Sequence, residues 1–189
     1  MIRLTIWFAV FAAAGFLTDF LLRIYLNKQS GPGTVIFSFL CCIAFLAVFD
    51  DPIRLAKGCI FSHSLIAAGY VDHKTSQIPD TLCTPIVICG LFPIGSLPSN
   101  WLPSLEGAII LFAVLLAFRL LFNGVGGGDI KLMTACGWAL GLYGALTSAI
   151  LSFSLFFLIS LLKGKKLKDH CAVGPFIAVG SIAAFLLTT

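Results

Sequence analysis

Residues 124–132 read Gly124-Val125-Gly126-Gly127-Gly128-Asp129-Ile130-Lys131-Leu132. One acid stands on a glycine-rich turn between two apolar stretches, residues 104–122 and 130–140. Ionisable side chains at membrane depth are expensive and mark sites of chemistry or transport. A second acid, Asp72, closes an earlier apolar stretch and is followed by Ile78-Pro79-Asp80. The position of these two carboxylates in the bundle decides what the chain can do.

The 189 residues are 59% hydrophobic and 11% charged, with a mean hydropathy of +1.06. Soluble domains carry about 25% charged residues. The composition excludes an ordinary water-soluble domain and points to an all-α, polytopic membrane helix bundle. A bilayer-spanning helix needs roughly 20 apolar residues, so the length admits about eight transmembrane helices. The apolar runs fall at about 4–26, 33–49, 55–71, 79–97, 104–122, 130–140, 145–162 and 172–187. This gives a single membrane-embedded domain over 1–189, with two N-terminal spans in 1–54 and a six-span core in 55–189.

Local signals punctuate these runs. Asp50-Asp51-Pro52 suits a helix start, because proline is tolerated in the first turn. Ser104 and Glu106 are expected as the cap and first-turn acid of the fifth helix. Gly141 to Gly144 reads as a turn between the sixth and seventh runs. Asp19 and Arg23 lie four apart, on one helical face, and are expected to pair locally. His63 sits in the third run with no metal-ligand spacing around it and reads as a hydrogen-bonded core residue. Seven cysteines form no C-x-x-C pair, so neither a zinc ribbon nor a disulfide framework is indicated.

With eight spans, alternate loops face opposite sides. Arg23, Lys28, Lys74, Arg119, Lys131, Lys163, Lys165, Lys166 and Lys168 collect on one side, and Arg3, Arg54 and Lys57 on the other. The positive-inside rule makes the first side cytoplasmic and puts both termini outside. Asp72 and Asp129 then share the cytoplasmic end. The basic 163–170 loop is expected to meet anionic lipid headgroups.

Two carboxylates sharing a proton can activate water against a peptide carbonyl. The helix dipole disfavours negative charge at a helix C-terminus and favours it at an N-terminus, so Asp72 is expected to hold the shared proton. Gly126, Gly127 and Gly128 are expected to supply unusual backbone angles and room for an extended substrate backbone. Residue physics alone leaves other readings open. The glycine turn with Asp129 also suits a helix cap, and acids at membrane depth also serve ion-coupled transporters, channels or accessory subunits.

Gly126-Gly127-Gly128-Asp129-Ile130-Lys131-Leu132 resembles the G-x-G-D-x-K-L signature of type IV prepilin peptidases, within the wider G-x-G-D intramembrane aspartic proteases. Asp72 with Ile78-Pro79-Asp80 resembles that family's first catalytic motif. Val173-Gly174-Pro175-Phe176 resembles its late G-P-[FY] element. The three occur in family order, from about residue 60 onward. The resemblance implies an endopeptidase that removes the basic leader from prepilins or pseudopilins at the cytoplasmic membrane face. It implies Asp72 and Asp129 as catalytic, with Gly126, Gly127, Gly128 and Lys131 at the substrate. A basic leader would be drawn by carboxylates such as Asp80. Close alternatives are a preflagellin or signal-peptide-peptidase-like protease.

Larger members carry a cysteine-rich cytoplasmic loop linked to N-methylation of the new subunit terminus. Here the 27–32 turn is too short for it, so no metal, no cofactor and no methyltransferase activity are expected. The expected partners are a prepilin or pseudopilin and membrane lipid, not nucleic acid. Nothing in the sequence sets the oligomeric state or the substrate's identity.

Overall fold

A computed structural model describes residues 2–26, 33–91, 101–122, 125–162 and 172–188. They form seven α-helices and no strand: α1 (Ile2–Leu26), α2 (Gly33–Val48), α3 (Pro52–Thr75), α4 (Asp80–Gly90), α5 (Leu102–Phe122), α6 (Gly127–Leu162) and α7 (Gly174–Thr188). The eight apolar runs correspond to seven helices, because the 130–140 and 145–162 runs both lie in α6. Three of them, within α1, α5 and α6, are long and apolar enough to cross a membrane by length and composition. The apolar outer surface, including Phe16, Ile24, Leu120 and Ile150, fits a membrane protein, since lipid imposes no penalty on exposed hydrocarbon. The basic 163–170 loop and the 27–32 turn lie outside the described residues.

α6 contains a break. Gly141 has φ 73° and ψ 179° inside it, a conformation closed to residues with a Cβ. The chain folds back there. On one side of the break Lys57 of α3 reaches Ala139. On the other, Ser148 meets Ser181 at 2.7 Å and Phe156 packs edge-on to Phe176 at 5.4 Å. Contacts therefore run down α7 as the second half of α6 advances, so the two run antiparallel. The anticipated four-residue turn over 141–144 is in fact one residue, because Gly144 is already helical and buried.

Close backbone approach holds α5 to the first half of α6. A Cβ on Gly137 would stand 2.7 Å from the Gly107 carbonyl oxygen, and one on Gly107 2.7 Å from that of Gly137. Small residues at such crossings let helices gain dispersion contacts where no hydrophobic drive operates. Gly137→Leu is expected to destabilise the protein by about 1–3 kcal/mol. Denaturation of the detergent-solubilised protein would show this as a lowered midpoint.

The core is aromatic where α2, α3 and α7 meet. Phe185 packs edge-on to Phe45 at 5.3 Å and against Phe61 at 5.4 Å. Among the described residues the buried polar side-chain atoms are partnered, as expected in apolar surroundings, except Ser152 Oγ. His63 faces Ser38 through Nε2 at 2.7 Å and the Cys59 carbonyl through Nδ1 at 2.7 Å. Asp19 pairs with Arg23 at 2.8 Å and also accepts from Thr34 of α2 at 3.0 Å, which the local reading of the pair missed.

Two local expectations change and one holds. Asp51 caps α3, accepting from Ile53 N with Pro52 in the first turn, as read. However, α5 starts at Leu102, so Ser104 and Glu106 lie inside it rather than at its cap. Lys57, counted among outward loop charges, is buried and donates to the Ala139 carbonyl at 3.1 Å. Carbonyls at a helix end lack intrahelical partners and favour a cation, and the Gly141 break creates such an end inside the bundle.

Candidate active site

Asp72 lies in the last turn of α3 rather than at its end. The helix continues to Thr75, and the Ser76 N–H closes it by donating to the Asp72 carbonyl at 2.7 Å. Ser76 itself is left-handed, φ 53°, which turns the chain sharply into the 77–79 segment. Asp72 faces inward and is 5% exposed.

Its carboxylate is held from far along the chain. Gly174 N donates to Asp72 Oδ2 at 2.8 Å. Gly174 opens α7, so this amide is one of the four at a helix start that lack an intrahelical acceptor. A Cβ at 174 would stand 2.7 Å from both Cβ and Oδ2 of Asp72. Only glycine lets the α7 start approach this closely. Beside it, a Cβ on Gly69 would come within 3.1 Å of the Pro175 Cα, so α3 and α7 meet backbone to backbone next to the acid.

Asp129 sits in the first turn of α6, 8% exposed. Its Oδ2 accepts from Gly126 N at 3.2 Å. This is the back-bonding half of a capping box, in which a third-position acid reaches the N-cap amide. The helix start therefore fixes the carboxylate's direction. The glycines do less conformational work than expected. Among the described residues Gly141 is the one glycine with positive φ, and Gly127 and Gly128 are already helical. Their small size serves packing instead. A Cβ on Gly128 would come within 3.1 Å of Ile78, and one on Gly127 within 2.6 Å of the Arg119 guanidinium.

The two acids occupy the same end of the bundle, since Gly128, next to Asp129, packs against Ile78 just beyond the helix of Asp72. Each is buried and each accepts one backbone N–H, so the hydrogen bonds give no asymmetry matching the expected proton ownership. Lys131 does not reach either acid. It donates to Asp80 at 2.8 Å, and both lie on the exposed rim. Beside Asp72, a groove of about 720 Å³ opens between α2, α3 and α7, bordered by Ile66, Gly69, Tyr70 and Pro175. Among the described residues, no three His, Cys, Asp or Glu side chains gather as metal ligands.

Sequence reading pairs Asp72 with Asp129 but does not name Gly174 as a partner of Asp72. The Val173-Gly174-Pro175-Phe176 stretch is the available signal, a glycine and proline at a helix start. Which acid it serves is not readable without the fold.

The chain is similar to known proteins. A model of the type IV leader peptidase family matches residues 59–165. The chain is 29% identical over 149 residues to the prepilin leader peptidase/N-methyltransferase of Dichelobacter nodosus, covering 73% of this chain and 51% of that protein. It is 30% identical over 139 residues to the protein of that name from Neisseria gonorrhoeae, covering 68% and 47%. For the Burkholderia pseudomallei (strain 1026b) protein the figures are 29% over 138 residues, 67% and 44%. The chain thus spans about half the length of these curated relatives. No solved structure matches it significantly.

Proposed function

The chain belongs to the type IV leader peptidase family, and from that premise we propose that it is an intramembrane aspartic endopeptidase that removes the basic leader from a prepilin or pseudopilin. The observation that carries this reading is that two buried carboxylates, from helices distant in sequence, stand at one end of the bundle, each oriented by a backbone amide. Such a pair shares one proton, and its titration belongs to the pair. The ionised member takes a proton from water as the water oxygen attacks the scissile carbonyl carbon. The protonated member donates to the carbonyl oxygen. The tetrahedral adduct then collapses, the C–N bond breaks, and the amine leaves with a proton returned from the pair. The water's two hydrogens and oxygen are thereby divided between the new carboxyl and amino ends.

Asp72 and Asp129 carry these roles in the proposal. Gly126, Gly127 and Gly128 form the floor over which an extended substrate strand passes. The groove beside Asp72 supplies apolar room for the lipid-embedded part of the substrate. We place the 55–189 region as the catalytic core, with eight spans in a bacterial inner membrane and the site at the cytoplasmic face. The clustering of Lys74, Lys131 and Arg119 at the end that holds the acids supports that orientation, and it leaves both termini outside.

The test is reconstitution. The purified chain in phospholipid vesicles is expected to shorten a full-length prepilin at its leader junction with no other protein added. Millimolar EDTA is expected to leave the rate unchanged, because the two acids alone activate the water. Failure to cut prepilins that a related peptidase cuts would remove the reading. Loss of activity on chelation would overturn the metal-free mechanism. A methylation assay with labelled S-adenosylmethionine on the cleaved subunit is expected to show no transfer.

A further inference from the structure

The rim of the site carries one ion pair that the mechanism does not use. Lys131 Nζ donates to both oxygens of Asp80, at 2.8 Å and 3.1 Å. Both side chains are open to solvent, Lys131 60% and Asp80 73% exposed. Their placement is specific. Asp80 opens α4, directly after the segment that leaves the helix of Asp72. Lys131 lies two residues beyond Asp129. The pair therefore ties the chain following one acid to the helix bearing the other.

Beyond that pair the segment is held by local contacts, the Thr75 hydroxyl donating to the Gln77 carbonyl at 3.1 Å and Leu82 N to the Pro79 carbonyl at 3.1 Å, and by Ile78. The segment begins at left-handed Ser76, a backbone state uncommon outside glycine. Ile78 rests on the α6 start beside Gly128. An exposed ion pair changes an equilibrium by a factor of roughly five at most, so this closure is easily exchanged. The acceptor is a free-standing carboxylate whose resting partner is a primary ammonium on a flexible stem. That is the chemistry a lysine or arginine of an incoming peptide would present.

We infer that Asp80 is the specificity-determining residue for a cationic side chain of the substrate, and that Lys131 is its internal stand-in. A basic residue of the leader takes Lys131's place on Asp80, and Lys131 returns to solvent. The 77–79 segment is then freed from α6, opening the way to the acid pair. Arginine is favoured over lysine at the recognised position, because its planar fork binds both carboxylate oxygens at once. This inference rests on the peptidase reading but is separately testable.

The experiment uses the full chain in vesicles and two prepilins, one with its natural basic leader and one with the leader's Lys and Arg changed to Gln. Wild type is expected to favour the basic leader through a lower KM. In Asp80→Asn that preference is expected to fall by roughly fivefold, the scale of one exposed ion pair, while the Gln leader is cut as before. Asp80→Glu is expected to retain the preference. Lys131→Gln is expected to keep it and to lower KM for the basic leader, because the competitor is gone. Undiminished preference in Asp80→Asn would overturn the inference. So would loss of cleavage of both leaders in that variant, or loss of preference in Lys131→Gln, since either marks the pair as a brace. Wild type cutting neither prepilin would instead be a failure of the peptidase reading itself.

Discussion

Asp72→Asn and Asp129→Asn are each expected to slow leader cleavage by roughly 10²–10⁴-fold, the range of general acid–base catalysis. The change is close to isosteric. Asn at 72 keeps an oxygen for Gly174 N, and Asn at 129 keeps one for Gly126 N, so both helix arrangements survive. What disappears is the ability to pass a proton between water, substrate and side chain. Because the two acids act as one unit, the double variant is expected to be no slower than the worse single one. Steady-state cleavage in vesicles, with helicity followed by circular dichroism, measures both quantities. Normal processing by either folded single variant would end the aspartic mechanism.

Gly174→Ala is expected to be the most damaging change outside the two acids. The new methyl would lie 2.7 Å from Asp72 Oδ2 and equally near its Cβ, well inside contact distance. Either α7 retreats and its amide is lost to the carboxylate, or Asp72 turns away from Asp129. Misplacing a catalytic group by about 1 Å can cost about 10²-fold in rate. The expected signature is a fall of that order in kcat, with the rim pair of Lys131 and Asp80 untouched. The denaturation midpoint is expected to fall modestly. A Gly174→Ala variant with wild-type kcat would show that the amide contact does not position Asp72.

The residues that sequence reading places well are those whose role is local. Asp51-Pro52 announces a helix start because cap and first turn are adjacent in the chain. Asp19 and Arg23 meet because four residues make one helical turn. The apolar runs mark their helices because a bilayer demands continuous hydrocarbon. Gly141 needs no partner to break α6, only a backbone angle.

Features that depend on remote partners are not legible. Gly174 serves Asp72 across 102 residues, and nothing near either one says so. Lys57 is buried because the fold brings the Ala139 carbonyl to it, whereas a charge count can only assign it to a loop. Lys131 and Asp80 each read as facing substrate, and their mutual contact emerges only once α4 and α6 are side by side. Gly126 to Gly128 looks like a flexible turn because glycine is permissive everywhere. That Gly127 and Gly128 are already helical, and lie against Arg119 and Ile78, emerges only from the fold.

The amide of Gly174 adds a constraint on biosynthesis. During translation the stretch bearing Asp72 leaves the ribosome long before residues 174–188 do. Until that later segment has been threaded into the bilayer and docked, the first acid has no donor to aim it. The proposed activity is thus expected only once α7 has seated, after the helix of Asp72 has already entered the bilayer.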